Sequence, residues 1–150
     1  MPRKPSITLY TSDTREVRIR QLMQFLKRKG TKLLMKHDNV IWAFANASDN
    51  EVPDMYLREI EVTEENSYPV LEKMLVSREV EGFECRMDVN GKTMWFSCDT
   101  GFNDSLCITI LPDSILLDDG MIDFNWYYKF WKEMFPESTY MYGVEFSAID

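Results

Sequence analysis

Side chains able to do chemistry are few in this sequence, and they stand apart from one another. The one histidine, His37, falls at the end of a predicted hairpin, where we expect a solvated or turn-capping side chain instead of a catalytic one. Cys85, Cys98 and Cys107 lack the C-x₂₋₄-C spacing of a zinc site, and no base is visible beside them. We therefore expect thiols that pack as small apolar side chains, without a disulfide between Cys85 and Cys98.

Carboxylates are abundant but form no recognisable site. With 25 Asp and Glu residues, any pair chosen as an acid–base dyad is a weak signal. Asp113, Asp118 and Asp119 lie close together without the ligand spacing of a calcium loop. The six glycines include no G-x-G-x-x-G, P-loop or G-x-S-x-G pattern. The sequence therefore predicts no catalytic residue, no metal and no cofactor, and an enzyme that uses a carboxylate pair is the least favoured alternative.

Charge is distributed unevenly along the chain. Residues 1–36 contain ten Lys and Arg against two acids, a net of +8, whereas residues 37–150 contain seven against twenty-three, a net of −16. The total of −8 disfavours binding to nucleic acid and to anionic membranes, and it suits a basic protein partner. The alternative is that the charge only keeps the protein dispersed. With neither a secretory signal nor a run of about 20 apolar residues, we expect a cytoplasmic protein.

The elements that must position these residues follow from hydrophobic periodicity. Residues 6–10 alternate as a strand, and Asp13 with Glu16 forms a capping box that opens a helix. That helix has one apolar stripe, carries cations on the opposite side and ends at Gly30. We expect these cations either to lie beside acidic edges of the same domain or to contact a second copy in a homodimer.

Two hairpins are predicted. Residues 32–37 and 40–45 bracket a two-residue turn at 38–39, and residues 83–98 are centred on Asn90-Gly91, a type I′ signature. Pairing across Asn90-Gly91 predicts one buried face and one solvent-exposed face. On the solvent-exposed face, Glu84 is paired with Ser97, Arg86 with Trp95, and Asp88 with Thr93. We expect the Arg86 guanidinium to cover the Trp95 ring.

The remaining periodic segments complete the fold prediction. Strands are expected at 55–62, 106–111 and 140–146, and helices at 68–80 and 122–135. Together these elements predict a single α+β domain spanning residues 1–150. Its sheet is mainly antiparallel, with about six to eight strands and three helices packed on it.

The predicted helix at 122–135 is aromatic over most of its circumference. Packing on the sheet is the favoured interpretation of these rings. In the alternative, Tyr128, Trp131 or Phe135 stays exposed beside acids as a binding hot spot, because Tyr and Trp combine apolar area with a polar tip. The predicted partner-binding patch consists of Asp118, Asp119, Asp123, Tyr128, Trp131, Glu133 and Glu137.

Three segments of this acidic chain resemble bacterial polymorphic-toxin immunity proteins. They are CITILPD (107–113), DFNWYYKFWKEMFP (123–136) and YMYGVEFS (140–147). The resemblance covers the general character of the chain and not one family within that group. It implies a non-enzymatic, antitoxin-like inhibitor that occludes a basic, often nuclease-type, toxin. A structural or homo-oligomeric accessory protein is the alternative from a different class.

Overall fold

Seven antiparallel strands form one open sheet in the computed structural model, which describes residues 6–35, 39–45, 56–89, 91–110, 123–135 and 141–147. In chain order the elements are β1 (Ser6–Thr11), α1 (Arg15–Arg28), β2 (Val40–Ala45), β3 (Tyr56–Glu61), α2 (Ser67–Val76), β4 (Gly82–Val89), β5 (Lys92–Asp99), β6 (Ser105–Ile110), α3 (Phe124–Lys132) and β7 (Met141–Ser147). Across the sheet the strand order is β3-β2-β4-β5-β6-β1-β7. The predicted α+β fold, an antiparallel sheet with three helices, is confirmed.

Buried side chains from all three helices join one core with the inward-facing side chains of the sheet. Ile7 and Leu9 of β1, Ile108 of β6 and Phe96 of β5 are completely buried there. Because side chains alternate along a strand, every second residue of the same strands points to the other side of the sheet. The helices therefore cover one face of the sheet, which we call the helix side.

The first helix begins one residue later than its capping box predicts. Thr14 is the N-cap, and its side chain accepts a hydrogen bond from the backbone N–H of Val17 at 3.3 Å. Asp13 instead accepts from the Gln21 amide at 3.1 Å, and Glu16 pairs with Arg20 at 2.8 Å. The predicted Asp13 cap is therefore wrong, because both acids of the box bind side chains further along the helix.

The hairpin around Asn90-Gly91 has the predicted register. Cys85 lies opposite Phe96, Arg86 opposite Trp95, and Asp88 opposite Thr93. Gly91 has a φ of +79°, the left-handed conformation that a type I′ turn requires and glycine adopts at little cost. The three cysteines are free thiols, as expected. A hydrogen bond to Cys85 and burial raise the pKa of the Cys98 thiol.

The hairpin predicted between residues 32–37 and β2 is not formed by its described residues, 32–35. β2 pairs with β3 along six residues and, on its other edge, with β4 at Gly82 and Phe83. Only the Met35 N–H reaches β2, donating to the Val40 carbonyl at 3.0 Å, which is not the predicted pairing of Met35 with Trp42. Lys32 forms a single bridge to Arg86, further along the same edge of β4. His37 lies outside the described residues.

Candidate functional site

Trp131, a member of the predicted partner-binding patch, is a core residue. Its exposed fraction is 0%. The ring centroid lies 5.5 Å from that of Phe25 on α1 and 5.3 Å from that of Phe96 on β5. The expectation that Trp131 contacts a partner is therefore wrong, because its position on the inner stripe of α3 holds it between α1 and the sheet.

The other described members of the patch have partners within the chain. Asp123 caps α3, accepting from the backbone N–H of Trp126 at 3.0 Å. Glu133 forms an ion pair with Lys29 at 2.6 Å, and the half-buried Tyr128 has the Lys132 ammonium 5.6 Å from its ring centroid. Asp118, Asp119 and Glu137 lie outside the described residues. The described part of the patch thus stabilises α3 and its contact with α1.

The cations of α1 are also used within the fold, but mostly by carbonyl groups. Arg18 has an exposed fraction of 3% and donates to the carbonyl oxygens of Asn103 at 2.9 Å and Asp13 at 3.0 Å, and to the Thr11 hydroxyl at 3.2 Å. Arg15 donates to the carbonyl oxygen of Thr100 at 2.7 Å. Burial lowers the pKa of both guanidinium groups. These two arginines hold the loop between β5 and β6 against the start of α1.

The side of the sheet opposite the helices carries a concentration of carboxylates and tryptophans. Alternation places them together across four adjacent strands, β3, β2, β4 and β5. We call this surface the acidic sheet face, and its members are Glu59, Glu61, Trp42, Glu84, Asp88 and Trp95. Glu59, Glu61 and Asp88 are exposed, while the other three are half-buried.

Strand register fixes the spacing of the acidic sheet face. Trp42 lies directly opposite Glu59 on β3, and Trp95 lies opposite Arg86 on β4. With strands about 4.8 Å apart, the four strands span roughly 14 Å. Phe44 fills the space at Gly82, where a Cβ atom would overlap the phenylalanine ring. The surface is therefore built on a rigid, closely packed part of the sheet.

Described carboxylates outnumber described cations on this side of the four strands. Arg86 is the single described cation there, against the four carboxylates of the acidic sheet face and Asp99 at the end of β5. Its guanidinium carbon lies 5.9 Å from the Trp95 ring centroid, which confirms the predicted cation–π contact. Asp88 accepts a hydrogen bond from the Thr93 hydroxyl at 2.8 Å. The arrangement is suited to receiving positive charge beside an aromatic surface.

Three of the six members of the acidic sheet face are predicted by the sequence to lie together on one solvent-facing side of a hairpin. The hairpin register predicts Glu84, Arg86, Asp88 and Trp95 on this solvent-exposed face. Trp42 and the two glutamates of β3 join them only because β2 lies between β3 and β4. The one local signal for β3 is the alternation of Glu59 and Glu61 with Ile60, which is 7% exposed.

The site has to be interpreted from its geometry, because in comparisons with known proteins no protein-family model, curated protein or solved structure matches this chain. Among the described residues, no group of three or more His, Cys, Asp or Glu side chains is arranged to hold a metal ion. In the same part of the chain, no helix is long and apolar enough to cross a membrane.

Proposed function

We propose that this protein is a non-enzymatic binding module, an immunity- or antitoxin-like inhibitor whose acidic sheet face occludes a basic toxin. The observation that carries the proposal is the segregation of charge between the two sides of the sheet. Arg15 and Arg18 of α1 are bound by loop carbonyls and hydroxyls, while the four carboxylates and two tryptophans of the acidic sheet face lie beside one arginine.

The two kinds of side chain on this face have different roles in the proposed complex. Carboxylates attract a basic partner over a Debye length and accelerate association, and they disfavour acidic competitors. Trp42 and Trp95 supply apolar area near the centre, where binding energy is usually concentrated. An inhibitor needs no chemistry of its own, since covering the partner's site suffices.

The test combines partner capture with charge reversal on the face. The immobilised protein is incubated with extract of the native source, and a captured protein is identified by mass spectrometry. We expect one basic protein, whose association rate falls steeply with salt. In Glu59→Lys/Glu61→Lys we expect affinity to fall at least about 100-fold, because two attractive contacts become repulsive.

The matched control reverses two exposed acids beside α2, outside the acidic sheet face. Glu65→Lys/Glu79→Lys makes the same change in net charge, and we expect its affinity to stay within about threefold of the parent protein. Capture of no protein contradicts the proposal. Equal loss of affinity in the two double variants contradicts the assignment of the face.

A second candidate is a structural protein that assembles with copies of itself. The observation that favours it is the edge strand β7, where Tyr142 and Phe146 are 51% and 38% exposed. An unpaired strand edge with exposed apolar side chains is a template for pairing with another strand. Light scattering over a hundredfold range of concentration tests this candidate, and a constant monomer mass contradicts it.

A further inference from the structure

An open groove of about 750 Å³ lies where the end of α1 approaches the start of α2. Its volume is in the range of small-molecule sites. The residues whose polar groups matter here are Lys27, Thr31, Lys32 and Tyr68, with Glu64 and Glu65 at its rim. The proposed binding of a basic partner by the acidic sheet face needs no ligand in this groove.

Thr31 brings an unpartnered hydroxyl to the groove. The residue is 95% buried, and its Oγ1 has no hydrogen-bond partner within the part of the chain that the structure describes. Its backbone groups are satisfied, because the N–H donates to Leu26 at 3.0 Å and the carbonyl accepts from the Tyr68 hydroxyl at 2.8 Å. A buried polar group without a partner is costly, so it points to a group that is added on binding.

Lys32 brings an ammonium group to the groove wall. Two backbone hydrogen bonds of 2.7 and 3.0 Å join Lys32 to Arg86 at the edge of β4. The Arg86 guanidinium itself is directed over Trp95 on the other side of the sheet. The bridge therefore fixes the backbone of Lys32 beside the groove.

The N-terminus of α2 forms the opposite wall. Its N-cap, Asn66, makes no side-chain cap; the Asn66 Oδ1 instead accepts from the backbone N–H of Thr63 at 2.7 Å. The first turn contains no acid, although acids are favoured there by the helix dipole. Ser67, Tyr68 and Pro69 of this turn line the groove. The first turn therefore brings the positive end of the helix dipole to the groove, next to Glu64 and Glu65, which directly precede the N-cap.

The glutamates at the groove form only a weak ion pair with its lysines. The Lys32 ammonium lies 3.8 Å from a Glu64 oxygen, and both side chains are exposed, so the pair contributes little. Glu65 is exposed at the rim, and Lys27 has no ion pair within 4.0 Å among the described residues. An incoming dianion can replace Glu64 at Lys32 while Lys27 offsets the two glutamates.

We infer that this groove binds the phosphate group of a small organic phosphate ester. The donors come from several directions: a hydroxyl, two ammonium groups and a helix N-terminus. A tetrahedral phosphate presents three terminal oxygens to such a set, whereas a planar carboxylate presents two. The groove is also larger than inorganic phosphate requires, which leaves room for the organic part of an ester.

The test titrates the full-length protein with inorganic phosphate, glycerol 2-phosphate and acetate at constant ionic strength, following backbone amide resonances. We expect saturable shifts at Thr31, Ser67 and Tyr68 with both phosphates, tighter binding of the ester, and a much weaker response to acetate. Lys32→Gln is expected to weaken phosphate binding about three- to tenfold. The exposed Lys73 on α2 does not line the groove, so Lys73→Gln should change binding less than twofold.

Thr31→Val separates a binding role from a structural one. The substitution preserves shape and removes the unpartnered hydroxyl, so we expect a higher unfolding temperature without phosphate and at least about fivefold weaker phosphate binding. Unchanged phosphate affinity in Thr31→Val overturns the inference, as does an equal effect of Lys32→Gln and Lys73→Gln. Shifts that do not saturate, or acetate binding as tightly as phosphate, also overturn it.

Discussion

On the helix side of the sheet Arg18 and Lys29 are bound internally, whereas on the opposite side the four carboxylates of the acidic sheet face lie beside one arginine. Arg18 is buried among carbonyl groups, and Lys29 lies against Glu133 and within 6 Å of the Phe25 and Phe130 ring centroids. Glu59 and Glu61 are exposed on the edge strand β3. Arg18 and Lys29 of the basic start of the sequence therefore serve the fold, whereas Glu59 and Glu61 carry charge that is exposed to solvent.

Tryptophan shows the same difference between the two sides. Trp131 is completely enclosed by α1 and the sheet, while Trp95 is half-buried beneath the Arg86 guanidinium. Enclosure makes a large side chain a source of stability, because its removal leaves a cavity. Partial exposure makes it available to a partner instead. The predictions below test this division from the largest expected effect to the smallest.

The largest effect is expected for Trp131→Ala. Removal of a fully buried tryptophan should lower the free energy of unfolding by about 3–5 kcal/mol, measured by urea denaturation. Trp95→Ala is the matched variant on the other side, and its expected cost is about 1 kcal/mol, since part of the ring is already in water. Equal losses of stability in the two variants would contradict the division between core and binding surface.

Arg18→Met should have the next largest effect. Methionine keeps much of the apolar stem but removes the donors to Asn103, Asp13 and Thr11, so we expect a loss of about 2 kcal/mol in urea denaturation. Arg20→Met removes an exposed pair with Glu16 on the same helix, and its effect should stay within about 0.5 kcal/mol. A small effect at Arg18 would mean that the cations of α1 are available to partners after all.

The fold was predictable wherever local signals determined pairing. The Asn90-Gly91 turn determines the β4–β5 register, and the apolar stripe of α1 determines the face that it buries. The described part of the predicted strand at 32–37, residues 32–35, was misassigned because alternation shows that a segment can form a strand, but not which edge is free to receive it. Competition from β3 and β4 for β2 is a long-range property.

The candidate site was less predictable for the same reason. Acids near an aromatic helix suggested a patch on α3, yet sequence proximity does not distinguish an acid that caps a helix, such as Asp123, from one that meets a partner. Trp42 and Glu59 are seventeen positions apart and become neighbours only through the sheet. Burial decided between two interpretations of Trp131 that periodicity alone allowed.

The smallest effect is expected at Asp99, where the acidic side of β5 meets the arginines of α1. Burial raises the pKa of Asp99, and the nearby Glu81 carboxylate raises it further. Two groups lower it: the Gly101 N–H, which donates to Asp99 Oδ1 at 2.9 Å, and the Arg15 guanidinium. The net effect is a raised pKa. The folded state therefore binds the proton more tightly than the unfolded chain does. Stability is lost as pH rises from the ordinary Asp value through the raised one, and the ionised carboxylate remains destabilising above it.

Asp99→Asn should remove that loss, because the amide oxygen can still accept from Gly101 and carries no charge. The variant should be more stable than the parent protein at neutral pH, and the difference should vanish as pH falls below the ordinary Asp range. Urea denaturation of both proteins between pH 3 and 8 measures it. A difference of opposite sign would show that attraction to Arg15 outweighs desolvation, so that the cations of α1 would stabilise an acid of the sheet as well as loop carbonyls.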